Sequence, residues 1–337
     1  MSKMKITCYG PRGSLPTPSR KGFSTLAYGG NTNCYYVEAG PFRIILDNGS
    51  GVAVLGNDLM AKGVIGEHFI NLISHFHWDH IQGLPFCVPY FIGTNTFHIH
   101  GPIPSGHEHT GMPRSAVEEM LSQQQANPHF PVAHECMPAT KHYTGHDRQF
   151  PETFYYRYLS PNVAENDGVY NQISAACYSQ HSKNNIKITT IPLNHPDGCL
   201  GYRIDYMGTS MAYCSDNEPL RHPNIQISKL AANVDWILLD GQYTEKQLSS
   251  TTQTFGHGTP ESCFEQAIAC KAKHLVIHHH HTIHDDATLE QMEHAAVDLG
   301  GWYDEDNTVP VEFAREGQVW EIVSREIGCN KIISKRP

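Results

Sequence analysis

Histidine is the residue type out of proportion in this chain, at 23 of 337 residues. Imidazole is the commonest metal ligand and titrates near neutral pH, so the positions of these histidines decide whether the count has chemical meaning. The densest group is His75-x-His77-x-Asp79-His80, directly after the apolar run Phe69-Ile70-Asn71-Leu72-Ile73. In an extended turn His75 and His77 point the same way and can share one ion. Asp79 and His80 follow as the chain curls into a helix and can turn to a second ion. Neutral imidazole suits Zn²⁺, and a carboxylate adds a harder ligand. With histidine at about 0.07 of the chain and aspartate near ~0.05, four fixed positions give roughly 0.006 chance matches in a chain of this length. A random His-rich loop is therefore a poor account of the group.

Further ligand-type residues stand at the ends of other expected strands. Phe42–Leu46 runs into Asp47, Ile186–Leu193 into Asn194-His195, Ser210–Cys214 into Ser215-Asp216, Val234–Leu239 into Asp240, and His274–Ile277 into four consecutive histidines, His278 to His281. Strand ends on one edge of a sheet converge, and loops there are free to hold polar groups. Seven or so such residues on one edge suit two metal ions rather than one.

The positioning elements alternate short strands with glycine-rich turns. Lys5–Tyr9, Cys34–Glu38 and Phe42–Leu46 read as strands, and 201–206 with 210–214 reads as a hairpin about Met207-Gly208-Thr209. Three helices are expected: Arg114–Gln125, Pro260–Ala272 with Thr259 at its N-cap, and Ala287–Leu299 stopped by Gly300. Strands and helices mix throughout, giving an α/β class. The stretch from about 141 to 185 is polar, poorly periodic and rich in Tyr, Asn, Gln and Ser; it reads as an insertion, a lid or a dimer-contact arm. Within it Tyr155, Tyr156 and Tyr158 are candidates to stack a base or to pack on a partner. His98 and His100 read as solvated residues of an edge strand, and His107-Glu108-His109 as a surface loop.

Composition narrows the function classes. Charged residues are 17% and hydrophobic residues 39%, a globular composition. No run approaches the roughly 18 apolar residues of a membrane span. The N-terminus lacks the apolar core of a signal peptide, and the ten cysteines are scattered without a Cys-x-x-Cys pair, so a reduced, cytoplasmic chain is expected. Asp plus Glu is 34 and Lys plus Arg is 24, a formal net charge of −10. That lowers the expectation of long nucleic acid as a substrate.

At this point the sequence resembles the metallo-β-lactamase superfamily, and within it the ribonuclease Z-like and cyclic-nucleotide-phosphodiesterase-like branch. The matching stretches are Gly10 to Pro18, Tyr28 to Thr32, Ile45 to Gly51, Ser74 to Phe86, Pro192 to Pro196, Tyr213 to Asp216, Asp240 to Thr244, Gly256 to Thr259 and the His-rich strand end. They are collinear over about residues 4–323. The resemblance implies one metallo-β-lactamase-like domain over 1–337, carrying the 141–185 insertion, with a four-layer αβ/βα sandwich and a dinuclear site along its upper edge. Carried over by motif, His75, His77 and His195 hold one metal, Asp79, His80 and His279 hold the other, and Asp216 bridges them. Asp47 would orient a ligand, and Asp240, which closes a strand in the way Asp47 does, reads as structural or as orienting a ligand too. The last motif of similar sequences usually reads Phe-His-His-Asp-Pro, whereas this chain has four histidines and Thr282. Strand register favours His279 as the ligand, with His278 and His280 as alternatives.

The implied chemistry is hydrolysis of a small phosphodiester, such as a cyclic nucleotide, by a hydroxide bridging two divalent ions, Zn²⁺ or alternatively Mn²⁺. Asp79 belongs to that catalytic set. His257, in Gly-His-Gly-Thr ahead of a helix, matches the position that helps donate a proton to the leaving group, and His284 is the competing acid or a substrate contact. Asn31 and Tyr243 are expected to line the pocket. A homodimer with no membrane partner is expected. The other readings are a ribonuclease Z-like RNA 3′-end endonuclease, a hydrolase of a lactone, thioester or amide, and a metal-binding scaffold without turnover. The first needs a long, glycine-rich, basic arm to grip tRNA, which this chain lacks.

Overall fold

The computed structural model describes residues 2–106, 113–160, 169–219, 223–300, 309–324 and 330–337. The sixteen strands among them are β1 (Ser2–Gly10), β2 (Cys34–Ala39), β3 (Phe42–Leu46), β4 (His68–Leu72), β5 (Thr96–Pro102), β6 (Thr140–His146), β7 (Thr153–Leu159), β8 (Val169–Ile173), β9 (Asn185–Leu193), β10 (Cys199–Tyr206), β11 (Thr209–Cys214), β12 (Trp236–Asp240), β13 (Leu275–His278), β14 (Val311–Phe313), β15 (Val319–Ser324) and β16 (Asn330–Lys335). They form two eight-stranded sheets, in the orders β16-β15-β1-β2-β3-β4-β5-β6 and β14-β13-β12-β11-β10-β9-β7-β8. The helices are α1 (Gly51–Ala61), α2 (Trp78–Ile81), α3 (Pro113–Gln124), α4 (Ile225–Leu230), the single turn α5 (Glu245–Gln247), α6 (Pro260–Cys270) and α7 (Asp286–Gly300).

Side-chain alternation builds the layers. In β3 and β4, Ile44, Leu46, Ile70 and Leu72 face the second sheet, where they meet Tyr202, Ile204, Met211, Tyr213 and Leu238. Ile45 and Phe69 face the other way and pack with Val52, Leu55 and Leu59 of α1 and Val117 and Leu121 of α3. On the far side, Ile237, Leu239 and Ile277 receive Phe264 and Ala267 of α6 and Leu289 and Ala296 of α7. The period of two thus puts one apolar set between the sheets and another beneath the helices. The result is the expected four-layer αβ/βα sandwich.

Local signals set the element ends. Met207 (φ 50°) and Gly208 (φ 75°) make the β10–β11 turn, and two positive φ angles are what a tight hairpin requires. Thr259 caps α6 in a reciprocal box with Ser262. No helix among the described residues is long and apolar enough to cross a membrane.

Strand direction makes the site. β3, β4, β5 and β6 are mutually parallel, so Asp47 and the His75 loop leave the same edge of the first sheet. In the second sheet β11, β12 and β13 are parallel, and β9 runs in their direction through antiparallel β10. His195, Asp216, Asp240 and His279 therefore also leave a single edge.

Two expectations meet a different structure. The 141–185 stretch contributes most of β6, both β7 and β8, and the start of β9. Its periodicity is hidden because its inward positions are filled by aromatic and imidazole groups instead of aliphatic ones. Phe154, Tyr156 and Tyr170 are buried in the core between the sheets. Tyr155 packs at a tilt on Tyr178 and Tyr158 meets Tyr170. His98 and His100 are not on an edge, because β6 pairs outside β5 and the second sheet covers their face. The His107-Glu108-His109 stretch lies outside the described residues.

His100 sits in a hydrogen-bonded row. Tyr156 Oη lies 2.8 Å from His100 Nε2, His100 Nδ1 is 2.8 Å from His146 Nε2, and His146 Nδ1 is 2.9 Å from Glu152 Oε2. One proton per contact satisfies the row. Burial holds His100 well below the usual imidazole range, and pushes His134 down to about 4 and His280 to about 3. The unfolded chain binds the proton first at such groups, so their stability is full above about pH 6.5 and lost as pH falls toward the folded values. The urea midpoint of the metal-free protein is expected to fall steadily between pH 6.5 and 5.5, above the range in which ordinary carboxylates titrate. A midpoint constant over that window would show that these imidazoles are not held neutral.

Candidate metal centre

Asp216, fully buried after β11, stands between two groups of ligand-type atoms. Its Oδ2 lies 3.6 Å from His75 Nε2 and 3.7 Å from His195 Nε2. Its Oδ1 lies 3.2 Å from both His80 Nε2 and His279 Nε2. Around the first oxygen gather His75, His77 and His195, with His77 Nδ1 3.1 Å from His195 Nε2. Around the second gather Asp79, His80 and His279, with Asp79 Oδ2 3.2 Å from both imidazoles. The seven residues expected from the motifs are thus brought together, in the two expected sets.

The chain also fixes which nitrogen faces inward in four of the five rings. His80 Nδ1 is 2.8 Å from Asp47 Oδ2, and His195 donates Nδ1–H to the Gly256 carbonyl at 2.8 Å. His75 Nδ1 is 3.0 Å from Ser74 Oγ, and His279 Nδ1 is 3.2 Å from Gln242 Oε1. In these four rings Nδ1 is committed outward, leaving Nε2 for the centre, whereas His77 presents Nδ1. His75 Nε2 is buried and has no protein hydrogen-bond partner among the described residues. A buried ring nitrogen without a partner is costly unless something occupies the space before it. Imidazole nitrogens and carboxylate oxygens converging on that space fit divalent metal ions.

Close approach is secured by two glycines. A Cβ on Gly13 would lie 2.3 Å from the His279 ring, and one on Gly256, which also holds φ +90°, would lie 2.1 Å from His195 Nδ1. Asp47 (φ 58°) and His279 (φ 63°) are non-glycine residues in the left-handed region, a strain of the kind stored at functional sites.

Electrostatics follow from the crowding. Burial by itself would depress His80, but Asp216, Asp79 and Asp47 outweigh it and hold it well above the usual range. Burial likewise opposes His279, which Asp216, Asp240 and Asp79 raise to about 9. Burial would raise Asp79 and Asp216, but the neighbouring histidines hold both well below the usual carboxylate range. His75, His77 and His195 are lowered, chiefly by desolvation, as suits neutral ligands.

Asp47 is the hub behind the centre. Its carboxylate accepts from Ser74 N (2.7 Å), Ser74 Oγ (2.7 Å) and Tyr213 Oη (2.6 Å) besides holding His80. Asp47→Asn keeps a side chain that tolerates the left-handed backbone but sets an amide donor against these donors. It is expected to cost about 2 kcal/mol of stability and about 10- to 100-fold in metal affinity. Urea unfolding and chelator competition measure the two, and unchanged metal affinity would remove Asp47 from its orienting role.

Asp240 and His257 form a further pair, with Nδ1 2.8 Å from Asp240 Oδ2. The His257 ring stacks on His279 (4.8 Å) and lies 5.3 Å from the ring of His195. With Nδ1 committed to Asp240, Nε2 is the ring nitrogen not engaged in that contact. His284 is placed elsewhere: its ring meets His281 (5.4 Å), its Nε2 lies 3.2 Å from Gln247 Nε2, and burial pushes it down to about 4. Of the four consecutive histidines only His279 reaches the centre. His278 packs on Tyr35 and Tyr213, His280 on Tyr28 and Phe313, and His281 on Tyr243. Asn31 is tied to Glu316 and Ser50, and Tyr243 rests against His257.

The sequence reading passed over several contributors. Asn33 Nδ2 is 3.1 Å from His80 Nε2, and Ser14 N donates to Asp79 Oδ2 at 2.7 Å. Glu218 accepts from the backbone of Thr254 and Gly256, holding the loop that presents His257. Asn33 and Gln242 each sit two residues from a residue already singled out, Asn31 and Asp240, which is the signal that would have found them.

No family model matches the chain. Over 63 residues it is 40% identical to the lactamase-like protein adaB of Aspergillus niger, a stretch covering 18% of this chain and 19% of that protein. Among solved structures it is similar to the metallo-β-lactamase fold protein YhfI of Bacillus subtilis, at 18% identity over 95% of this chain and 100% of that one, TM-score 0.59. The short form of human tRNase Z matches at 16% identity over 94% and 98%, TM-score 0.55. A diphosphatase from the PhnP family matches at 14% identity over 97% and 100%, TM-score 0.56. Two facing eight-stranded sheets, helices on both outer faces, and ligand loops on a shared edge agree with these likenesses: the chain has the metallo-β-lactamase fold.

Proposed function

We propose that the chain is a metal-dependent phosphodiesterase with two divalent ions, acting on a small phosphodiester such as a cyclic nucleotide. The observation that carries this reading is Asp216, whose two oxygens face two separate ligand sets. His75, His77 and His195 would hold one ion, Asp79, His80 and His279 the other, and Asp216 both. Bound there, two such ions, Zn²⁺ by ligand type, would supply Lewis acidity to a phosphoryl oxygen and acidify a water. His257 donates Nδ1–H to Asp240, which fixes the ring, and Nε2 carries the proton that passes to the departing alkoxide. Asp47, Ser74, Gln242 and the Gly256 carbonyl keep the ligand rings oriented. The net charge of −10 favours a small substrate over a long RNA.

The test is hydrolysis of bis(p-nitrophenyl) phosphate by protein reconstituted with Zn²⁺ or Mn²⁺, beside chelator-treated protein. Metal-dependent release of nitrophenolate is expected. Absence of turnover with two metals bound per chain would overturn the phosphodiesterase reading and direct attention to carboxylic esters and thioesters.

A further inference from the structure

The centre opens through a space of about 290 Å³ lined by His75, His77, Phe76, Pro102, Pro104 and Met120, among others. A second space of about 480 Å³ is lined by Phe76, Trp78, Ile81, Phe86, Met120 and Phe130, with glutamines and His129 as its polar members. Phe76 and Met120 line both, so the larger space is a side groove of the smaller. No Asp, Glu, Lys or Arg lines the groove among the described residues. Phe86 and Phe130 meet edge to face at 5.6 Å. Trp78, between His77 and Asp79, is 80% exposed and Phe86 is 60% exposed. Elsewhere on the rim Leu15, beside the Ser14 amide that reaches Asp79, and Phe255, beside Gly256, are also more than half exposed. Large apolar side chains gathered in water around a candidate centre mark a surface that is covered in use.

We propose that this groove receives an apolar group, an alkyl chain or an aryl ring, carried by the phosphodiester substrate beside its scissile bond. The proposal rests on the hydrolytic reading above and specifies its substrate class. Continuity with the centre identifies the occupant, because a group lying against Phe76 and Met120 is within one substituent of the ester. In the reaction a water oxygen bonds to phosphorus, the P–O bond to the leaving group breaks, and the leaving oxygen takes the proton. The apolar arm stays on the phosphate monoester.

The test is a series of p-nitrophenyl n-alkyl phosphates from methyl to hexyl, where the leaving group is constant and only the arm grows. Each methylene buried in the groove is worth a factor of about 3 to 4, so kcat/KM is expected to rise on the order of 100-fold or more from methyl to hexyl. Phe130→Asp and Phe86→Ser should flatten the series, and Ile225→Ser, on exposed α4 away from the groove, should not. A second readout needs no turnover: calorimetric titration of the metal-loaded protein with hexyl phosphate and with methyl phosphate, where hexyl should bind on the order of 100-fold more tightly and lose that advantage in Phe130→Asp. A steep dependence in either assay that Phe130→Asp abolishes supports the groove, even if the diesters themselves are not hydrolysed, in which case the phosphodiesterase reading alone falls. Flat dependence in both assays overturns the groove whatever the turnover, as does Phe86→Ser converting a dimer to monomers without altering the series.

Discussion

Asp216→Ala is expected to reduce turnover of bis(p-nitrophenyl) phosphate by on the order of 1,000-fold or more while the urea transition stays cooperative. Both halves of that expectation come from position. One carboxylate serves both ligand sets, so its removal takes a donor from each at once, and the remaining donors of each set are otherwise mostly imidazoles. Its place in the loop after β11 carries no sheet hydrogen bond, so the layers beneath are untouched. Metal content per chain should fall with activity. In the metal-free variant His279, which Asp216 helps raise to about 9, should titrate at lower pH, a shift visible in the imidazole resonances. Asp216→Asn, which keeps the volume and removes the charge, should resemble alanine in activity. Full turnover in either variant would refute the two-ion assignment.

His257→Ala should discriminate between substrates. A nitrophenolate leaves without assistance, whereas an alkoxide needs a proton as the P–O bond breaks. The expected loss is on the order of 100- to 10,000-fold for an alkoxide leaving group and under about 10-fold for a nitrophenolate. Asp240→Asn should show the same pattern in weaker form, because it spoils the tautomer and removes the charge facing the imidazolium but leaves the ring in place. Equal losses for both leaving groups would mean that the ring positions other groups and donates nothing.

Much of this site was legible because its residues sit at strand ends. An apolar run followed at once by Asp47, His75, His195, Asp216, Asp240 or His279 states both the element and the edge, and parallel pairing then does the assembly. What the pattern could not settle was direction within a cluster. Four histidines in a row look equivalent as text. The left-handed turn at His279 and the bare backbone of Gly13 select one of them, and both are properties of the folded backbone. The inner face of β5 to β7 was hidden for another reason. There His98, His100, His146, Phe154 and Tyr156 fill core positions with rings that satisfy one another through hydrogen bonds and stacking, so a scale that counts imidazole as polar reads core as surface. His284 shows the opposite case: a suggestive spacing in the sequence, but a ring that the fold turns toward Gln247 and His281.

The pairing of Asp79 with His279 joins positions 200 residues apart, and Asp216 links the His75–His80 loop of the first sheet to the ends of β9 and β13 in the second. During synthesis at about 5–20 residues per second, ten seconds or more separate the emergence of the first ligand loop from that of the last histidine. Once Asp216 has emerged the set of His75, His77 and His195 has all its members, whereas the set of Asp79 and His80 waits for His279. The centre is thus timed as well as placed: its second ligand set closes only when β13 joins the second sheet, and a truncated chain ending before β13 would lack His279.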